Sequence, residues 1–493
     1  MSNGNRKNMT RRGFLSGAAA FGFGGWRLFA APPGWKHGGK PNLVFGVLSD
    51  THLCSRPFAG RPYPDWPVKY FAAALEYFKS LHVDAVVHCG DLAHRGRVRE
   101  LEFHAEIWRD VFGKHGPTKL FVAGNHEFRA DCKGRKLIDD GMAANWERIW
   151  GEAYDEVWHK EVKGCHFFGR HWGADEGRLV DLVKKHIAPD AADKGAKPFF
   201  VLTHRILGRE TRMALGGYRN ALGFFGHWHH SAANWREIYC ADGLAPFIQV
   251  PPCHPHGEGS LAHGKAILKI PIEKNEFVGN GRQGYVVRVY DDMLTIERRE
   301  FGEGGSLGPE WVMPLVAKLG TGNRRRQGYG GQDGEREGHP FSYDELKKVI
   351  GEPQFPKGAK LSVECRQCEN VAKSNVANGQ LEIGTGNGNN STMATISIKI
   401  PLADGNPDSR VYVYEVVVIG DEGGRKLHKA VYATGCNLGV GHEPNGGMTT
   451  LDIPKSELPP GKELTFAVRP LSSLGTAGKA IAAKCKNEGV AEK

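Results

Sequence analysis

Five apolar segments of this chain each carry an aspartate, an asparagine or a histidine at or near the carboxyl end. Continuous apolar runs of about four to eight residues predict buried strands of a mostly parallel sheet. Ligands of open α/β sheets bind beyond the carboxyl ends of the strands, so the polar residues are expected along one edge of the sheet. The five segments lie at 43–50, 84–91, 119–127, 198–204 and 221–227.

Helix-like segments alternate with these predicted strands. Residues 68–82 carry apolar side chains at helical spacing, and residues 97–113 and 178–187 also predict helices. A hairpin is predicted around Gly164, and residues 284–301 predict a second hairpin that closes the sheet as its edge. The order of the elements indicates a layered α/β domain.

The polar residues at the strand ends form a set that suits metal ions. Carboxylate, amide and imidazole groups suit Mn, Fe, Zn, Co or Ni, and the absence of cysteine from the set argues against a structural zinc site. The candidates are too many for one ion, so we predict two divalent ions that share a bridging carboxylate. Two such ions against two carboxylates leave a charge of about +2, which attracts phosphate. The candidate ligands are Asp50, His52, Asp91, Asn125, His204, His227 and His229.

Three histidines stand close together in the segment FFGHWHHS, residues 224–231. In an extended segment, side chains two residues apart share a face, so His227 and His229 are expected to point to the same side. His230 points to the other side and is predicted not to bind metal. Trp228, which lies between the two ligands, is predicted to pack against apolar neighbours.

The ordered motifs D-x-H, G-D-x-x-H, G-N-H-E, H and G-H-x-H resemble the calcineurin-like metallophosphoesterase family over residues 41–302. The resemblance implies a four-layer α/β fold, in which a β-sandwich is flanked by helices. It also implies a hydroxide that bridges two metal ions and attacks phosphorus. One ion would be held by Asp50, His52, Asp91 and His229. The other would be held by Asp91, Asn125, His204 and His227.

The resemblance also assigns roles to two histidines outside the ligand set. His126 matches the family's catalytic histidine, which is expected to stabilise the transition state or to protonate the leaving oxygen. His94 matches a further family position and is expected to support a ligand without binding metal itself.

The first 31 residues are predicted to be an export signal. Arg11 and Arg12 precede an uncharged Gly- and Ala-rich stretch, residues 13–26, and together they resemble a twin-arginine signal. The stretch is too short to span a bilayer as a helix. We therefore expect a periplasmic or extracellular bacterial protein, with no membrane span apart from a signal that could stay uncleaved.

The net charge indicates which partners to expect, and the cysteines indicate whether to expect a disulfide or a zinc site. The formal net charge is +10, of which residues 1–31 contribute five. This balance suits an anionic substrate, and without a basic face interleaved with aromatic residues no nucleic acid is expected. Cys365 and Cys368 form a lone CxxC in a predicted strand, where they are too far apart for a disulfide and too few for a zinc site.

The C-terminal part of the chain has a different composition and a different pattern of apolar residues. Residues 303–356 are predicted to be a linker that is rich in glycine and arginine in part. Residues 357–493 contain about seven short alternating segments separated by Gly, Pro and Asn turns. This pattern predicts an accessory all-β sandwich of immunoglobulin or fibronectin type, for attachment to a partner or a surface.

These observations favour an exported, binuclear phosphodiesterase that hydrolyses a small phosphate ester. A phosphomonoesterase, a nuclease of the same fold and a metal-binding scaffold without turnover stay open as alternatives. The identity of the metals (Mn, Fe or Zn are favoured), the physiological substrate and the oligomeric state do not follow from the sequence.

Overall fold

The computed structural model describes most of the chain between Gly38 and Asn487. The described residues are 29–30, 38–54, 66–129, 136–139, 141–187, 197–218, 220–234, 237–239, 244–253, 268, 270–273, 282–302, 305–307, 310–315, 352–368, 376–377, 380–381, 393–403, 411–422, 424, 426–434, 436, 448–473 and 475–487. Nearly all of the predicted export signal, and most of the predicted linker, lie outside these residues. No helix among the described residues is long and apolar enough to cross a membrane.

The chain divides into two compact units. Unit one comprises Met1–Gly259, Asn280–Val349 and Gly439–Gly441. Unit two comprises Ser260–Gly279, Ile350–Leu438 and His442–Lys493. The predicted first domain, residues 41–302, therefore contains a short segment that folds with unit two.

The described strands of unit one form two β-sheets. Its strands are β1 Phe29–Ala30, β2 Leu43–Leu48, β3 Ala85–His88, β4 Thr118–Phe121, β5 Val157–Val162, β6 Cys165–Arg170, β7 Phe199–Thr203, β8 Ala221–Phe225, β9 Ile238–Tyr239, β10 Phe247–Gln249, β11 Gln283–Val289, β12 Met293–Glu300, β13 Gly305–Ser306 and β14 Trp311–Pro314. The first sheet has the order β1-β14-β12-β11-β2-β3-β4, with β13 paired to β12, and the second has the order β5-β6-β7-β8-β10-β9. The strands β2, β3 and β4 are mutually parallel, as are β6, β7, β8 and β10. Parallel pairing brings the carboxyl ends of consecutive strands to one edge of each sheet.

The two sheets pack face to face through aromatic side chains. The ring of Phe45 on β2 lies 5.3 Å from that of Phe167, 4.9 Å from Phe200 and 6.2 Å from Phe224, measured between centroids. All four side chains are fully buried. These residues alternate with outward-facing ones along their strands, which is how a strand places apolar groups on one face. The sandwich core is therefore built from the apolar segments that the sequence marks as strands.

The described residues of unit one include five helices, and helices cover both outer faces of the sandwich. The helices are α1 Trp66–Ser80, α2 Val98–Phe112, α3 Met142–Trp150, α4 Glu176–His186 and α5 Arg209–Gly216. Phe71 and Leu75 of α1 share one buried cluster with Leu101 of α2, which covers the first sheet. Leu179 and Val183 of α4 pack with strands of the second sheet. The predicted four-layer arrangement is confirmed.

Two sequence-based expectations about unit one need correction. The hairpin of β11 and β12 is not at the edge of its sheet, because β12 also pairs with β14. The second concerns the predicted linker, residues 303–356, because the short strand β14 lies inside it and the weak sequence pattern there does not reveal a strand. The sequence pattern does not predict the helices α3 and α5 either, since they are short and lie in segments without a sustained helical period.

Unit two is all-β. Its strands are β15 Ser362–Cys368, β16 Val376–Ala377, β17 Gln380–Leu381, β18 Met393–Ile400, β19 Val413–Gly420, β20 Leu427–Tyr432, β21 Thr449–Pro454, β22 Glu463–Leu471 and β23 Ile481–Lys486. The larger sheets have the orders β15-β18-β21 and β20-β19-β22-β23. Ile396 and Ile398, in the sheet of β15, β18 and β21, share a buried core with Val416 and Phe466 of the other sheet, as a β-sandwich requires.

Candidate metal centre

The turns after β2 and β3 run side by side at the edge of the first sheet. The N–H of Asp50 donates to the carbonyl of Gly90 at 3.0 Å, and the N–H of His52 donates to the carbonyl of Asp91 at 3.0 Å. A third bond, from the N–H of Leu53 to Leu92, measures 2.9 Å. These bonds extend the parallel register of β2 and β3 past the strand ends, so the side chains of both turns project from the same edge.

Most of the predicted ligands have an unusual backbone conformation. The left-handed φ of a non-glycine residue is uncommon, and such residues cost on the order of 1–3 kcal/mol each unless the surroundings impose the conformation. Nine described non-glycine residues have positive φ, and five of them are predicted metal ligands. The five are Asp50 (φ 52°), His52 (46°), Asp91 (55°), His227 (76°) and His229 (55°). Backbone strain is therefore concentrated at this edge of the sheets, where it aims side chains at a common centre.

Glycines in the motifs make room for these turns. A Cβ added at Gly124 would lie 2.5 Å from the backbone nitrogen of Asp91 and closer still to its carboxylate. A Cβ at Gly226 would lie 3.0 Å from the Cβ of Ser49 and closer to the carboxylate of Asp50. These glycines permit the close approach of neighbouring turns, and a positive φ is not required at either of them.

The first group of donors combines two carboxylates with two imidazoles. One ligand atom from each of Asp50, His52, Asp91 and His229 lies within 4.8 Å of the other three. The Nε2 of His229 is 3.0 Å from the Oδ1 of Asp50 and 3.1 Å from the Nε2 of His52. The Nε2 of His52 is 3.7 Å from one oxygen of each aspartate. These are the four residues that the family resemblance assigns to one ion.

The second group of donors shares Asp91 with the first. Ligand atoms of Asp91, His204 and His227 lie within 4.8 Å of one another. The Oδ1 of Asn125 completes this group, at 2.9 Å from the Nε2 of His204 and 3.0 Å from the Nδ1 of His227. The structure thus brings all seven predicted ligands together, in two groups with one carboxylate in common.

The protonation of His204 indicates that this second group suits a cation. Its Nδ1 lies 2.8 Å from the carbonyl of Cys89, which can only accept, so Nδ1 carries a proton. Its Nε2 then faces the carbonyl oxygen of Asn125 and, at 3.2 Å, a carboxylate oxygen of Asp91. Burial alone would lower the pKa of His204, but the charge of Asp91 outweighs burial and raises it to about 9. A divalent ion could take the place of that proton, and the oxygen and nitrogen donors match Mn, Fe or Zn.

Four further ligands, two aspartates and two histidines, have the protonation states that metal binding needs. Burial would raise the pKa of Asp50 and of Asp91, but neighbouring imidazoles hold both pKa values well below the usual range. Burial lowers the pKa of His52 to about 4, and it also lowers that of His227. At neutral pH both aspartates are therefore charged and these two imidazoles are neutral, which leaves lone pairs for a metal ion.

His126 stands beside both donor groups without belonging to either. Its backbone N–H donates to Asp91 at 2.9 Å, and its Nδ1 donates to the carbonyl of His94. Its Nε2 is 3.9 Å from the carboxylate of Asp91, and 19% of the side chain is exposed. His94 and His52 complete a cluster of three imidazoles with His126. The Nε2 of His126 is thus the atom that faces the site.

His230 lies apart from the donor groups of the described residues. Its Nδ1 is 3.0 Å from the carboxylate of Glu237, which also accepts from the side-chain amide of Asn234 at 2.8 Å. The ring of Trp228 packs against Phe225, with 5.2 Å between centroids. His230 therefore takes part in a buried polar cluster. The extended conformation predicted for this segment is wrong, because β8 ends at Phe225 and both His227 and His229 have left-handed φ.

The sequence motifs leave two residues at the site without a role. The carboxylate of Glu127 accepts the backbone N–H groups of Asp91, Ala93 and Gly124, at 3.0, 2.7 and 2.6 Å. Glu127 thereby joins the turn after β3 to the turn after β4. Its position directly after His126 in the G-N-H-E motif is the one sequence feature that could have pointed to this role. Trp172 flanks the second group, with its ring 5.5 Å from that of His227, and no sequence motif marks it.

The comparisons with known proteins agree with this geometry. A family model described as calcineurin-like phosphoesterase matches residues 43–231. This part of the chain is a calcineurin-like phosphoesterase domain. The matched range contains all seven candidate ligands, from Asp50 to His229. A domain of this family with this donor set is a metal-dependent hydrolase.

Solved structures of other phosphoesterases are similar to the phosphoesterase domain at low sequence identity. A dimetal phosphatase from Danio rerio is 12% identical, with 54% of this chain and 99% of that chain covered and a TM-score of 0.33. Yfce, a phosphoesterase from E. coli, is 11% identical, with 56% and 100% covered and a TM-score of 0.24. A 5'-nucleotidase precursor from Thermus thermophilus is 13% identical, with 56% and 54% covered and a TM-score of 0.28. No curated protein matches the chain significantly.

Proposed function

We propose that this protein is an exported phosphodiesterase that depends on two divalent metal ions. The observation that carries the proposal is the pair of donor groups that share Asp91, since two adjacent cation sites on one carboxylate suit phosphoryl transfer. Two ions at these donors would activate a water molecule and neutralise charge that develops at phosphorus. Mn, Fe or Zn suits the mixture of carboxylate, amide and imidazole donors.

The chain itself supplies the donors, the rigid turns and a proton source. Asp50 and Asp91 are buried anions that would offset the charge of bound cations. Glu127 holds the turns after β3 and β4 in register, so the ligands are positioned before substrate arrives. The Nδ1 of His126 is engaged by the carbonyl of His94, which leaves its Nε2 to protonate the leaving oxygen or to stabilise the transition state.

Hydrolysis of two chromogenic esters tests this proposal. The full chain is reconstituted with Mn²⁺ and assayed with bis-p-nitrophenyl phosphate and with p-nitrophenyl phosphate, before and after chelation. We expect kcat/KM to be at least about tenfold higher for the diester, activity to disappear on chelation, and His126→Ala to lose roughly 10²- to 10⁴-fold in kcat. A preference for the monoester would assign a phosphomonoesterase, and no metal-dependent hydrolysis of either ester would refute the enzymatic role.

We also propose export by the twin-arginine route to the periplasm or the exterior of a bacterial cell. The paired arginines and the short uncharged stretch that follows them support this location. That route exports folded proteins, so a metal centre could be assembled before export.

A further inference from the structure

Thr51 is a fully buried residue between the two candidate ligands Asp50 and His52. Its hydroxyl oxygen lies 3.0 Å from the Nε2 of His88 and 3.2 Å from the Nε2 of His104. The same hydroxyl donates to the carbonyl of Leu92 at 3.4 Å. Three elements therefore converge on one hydroxyl: β3 through His88, α2 through His104 and the turn after β3 through Leu92.

The hydrogen-bond directions around this hydroxyl can be assigned from its neighbours. The backbone N–H of Gly90 donates to the Nδ1 of His88 at 3.3 Å, so that Nδ1 is unprotonated and Nε2 carries the hydrogen of the neutral ring. Burial keeps both rings neutral, because it lowers the pKa of His88 to about 3 and that of His104 well below its usual value. His88 therefore donates to the oxygen of Thr51.

His104 also donates to Thr51. Its Nδ1 has no hydrogen-bond partner among the described residues, and an unsatisfied buried N–H is costlier than an unused lone pair. The hydrogen of His104 is therefore on Nε2, directed at the hydroxyl oxygen. Thr51 then accepts two hydrogen bonds and donates one to Leu92, which uses the full capacity of a hydroxyl group.

The backbone on either side of Thr51 needs such a restraint. Asp50 and His52 both have left-handed φ, and conformations of this kind persist only where the surroundings over-determine them. The bond to Leu92 joins their turn to the one that carries Asp91, and the bonds from the two histidines anchor it to β3 and α2.

We propose that the Thr51 hydroxyl is a positioning group of the metal centre, which holds the strained turn so that Asp50, His52 and Asp91 present their ligand atoms together. The proposal rests on the metal centre of the proposed function. It assigns a role to His88 and His104, two buried polar residues that contribute no ligand atom. Loss of the hydroxyl would let the turn relax toward ordinary φ values and would separate the donors.

The test compares two substitutions at this position in the full chain. Thr51→Val keeps the branched shape and removes the hydroxyl, whereas Thr51→Ser keeps the hydroxyl. Binding of Mn²⁺ is measured by calorimetry, and thermal unfolding of the metal-free protein is measured in parallel. We expect Thr51→Val to lose roughly 10- to 100-fold in Mn²⁺ affinity and Thr51→Ser to stay within about threefold of the parent chain. Unchanged affinity in a folded Thr51→Val variant would overturn the proposal.

A second pair of variants tests the same bond from the other side if Thr51→Val does not fold. His104→Gln keeps a side-chain N–H near the position of Nε2, and His104→Leu removes it. Weaker Mn²⁺ binding in His104→Leu than in His104→Gln supports the proposal, and equal binding contradicts it. The parent chain separates the two hypotheses, because failure to bind Mn²⁺ there would refute the metal centre itself.

Discussion

Metal binding to this protein should release a proton from His204. In the metal-free chain, Asp91 outweighs the effect of burial and raises the pKa of His204 to about 9, whereas the reference value is 6.5. The proton on Nε2 occupies the position that a metal ion would take, between Asp91 and Asn125. The ion and the proton therefore compete for the same nitrogen.

The size of the effect follows from the shift in pKa. At pH 7, about two units below this pKa, His204 is almost fully protonated. Because a metal ion must displace that proton, the apparent metal affinity is weakened about 100-fold, or by roughly 3 kcal/mol. The affinity should rise about tenfold per pH unit from pH 7 and level off near pH 9. Stability of the metal-free protein should change in the opposite direction. The pKa of His204 is higher in the folded state than in the unfolded state. Its contribution to the free energy of unfolding is therefore complete below about pH 6.5 and is lost as the pH rises through about 9.

Calorimetric titration with Mn²⁺ at pH 6.5, 7.5 and 8.5 measures the affinity, and buffers of different ionisation enthalpy count the protons released. Burial and the nearby charge of Asp91 raise the pKa of Glu127 to about 8, so Glu127 can release a second proton when a cation binds beside it. A count above one proton per chain would show that Glu127 contributes as well. Equal affinity at pH 6.5 and 8.5 without proton release would show that His204 is neutral in the metal-free protein, and the reasoning would be wrong.

Two further predictions concern the histidine run and the N-terminus. His227→Ala and His229→Ala should each lose metal, because each variant removes a donor from one of the two groups. His230→Ala should keep the parent's metal content, since that side chain binds Glu237. Elemental analysis of the purified chains measures the metal content. Metal loss in His230→Ala alone would contradict the assignment. Replacement of Arg11 and Arg12 by lysine should retain the protein in the cytoplasm of a bacterial host, as measured by fractionation, and unchanged export would exclude the twin-arginine route.

The sequence determines the sandwich of unit one because its signals are local. Continuous apolar runs mark β2, β3, β7 and β8, and their burial in the structure matches that pattern. The separation of His229 from His230, by contrast, is decided by the turn after β8, in which His227 and His229 have left-handed φ. The structure is needed where the pattern is short, as in the nine-residue helix α3, or where pairing is decided by distant partners, as for β14 with β12.

The candidate site likewise combines features that the sequence predicts with features that only the fold decides. The sequence identifies which residues arrive at the sheet edge, because every ligand lies at or just past the end of one of the five apolar segments. It does not indicate that Asp50, His52 and Asp91 have left-handed φ, that Glu127 joins two turns, or that Thr51 receives two imidazoles. The protonation of His204 depends on Cys89, which is 115 residues away in the chain. Hydrogen-bond direction, tautomer and pKa are set by groups that meet only after folding, so the chemical state of the site is decided by the tertiary structure alone.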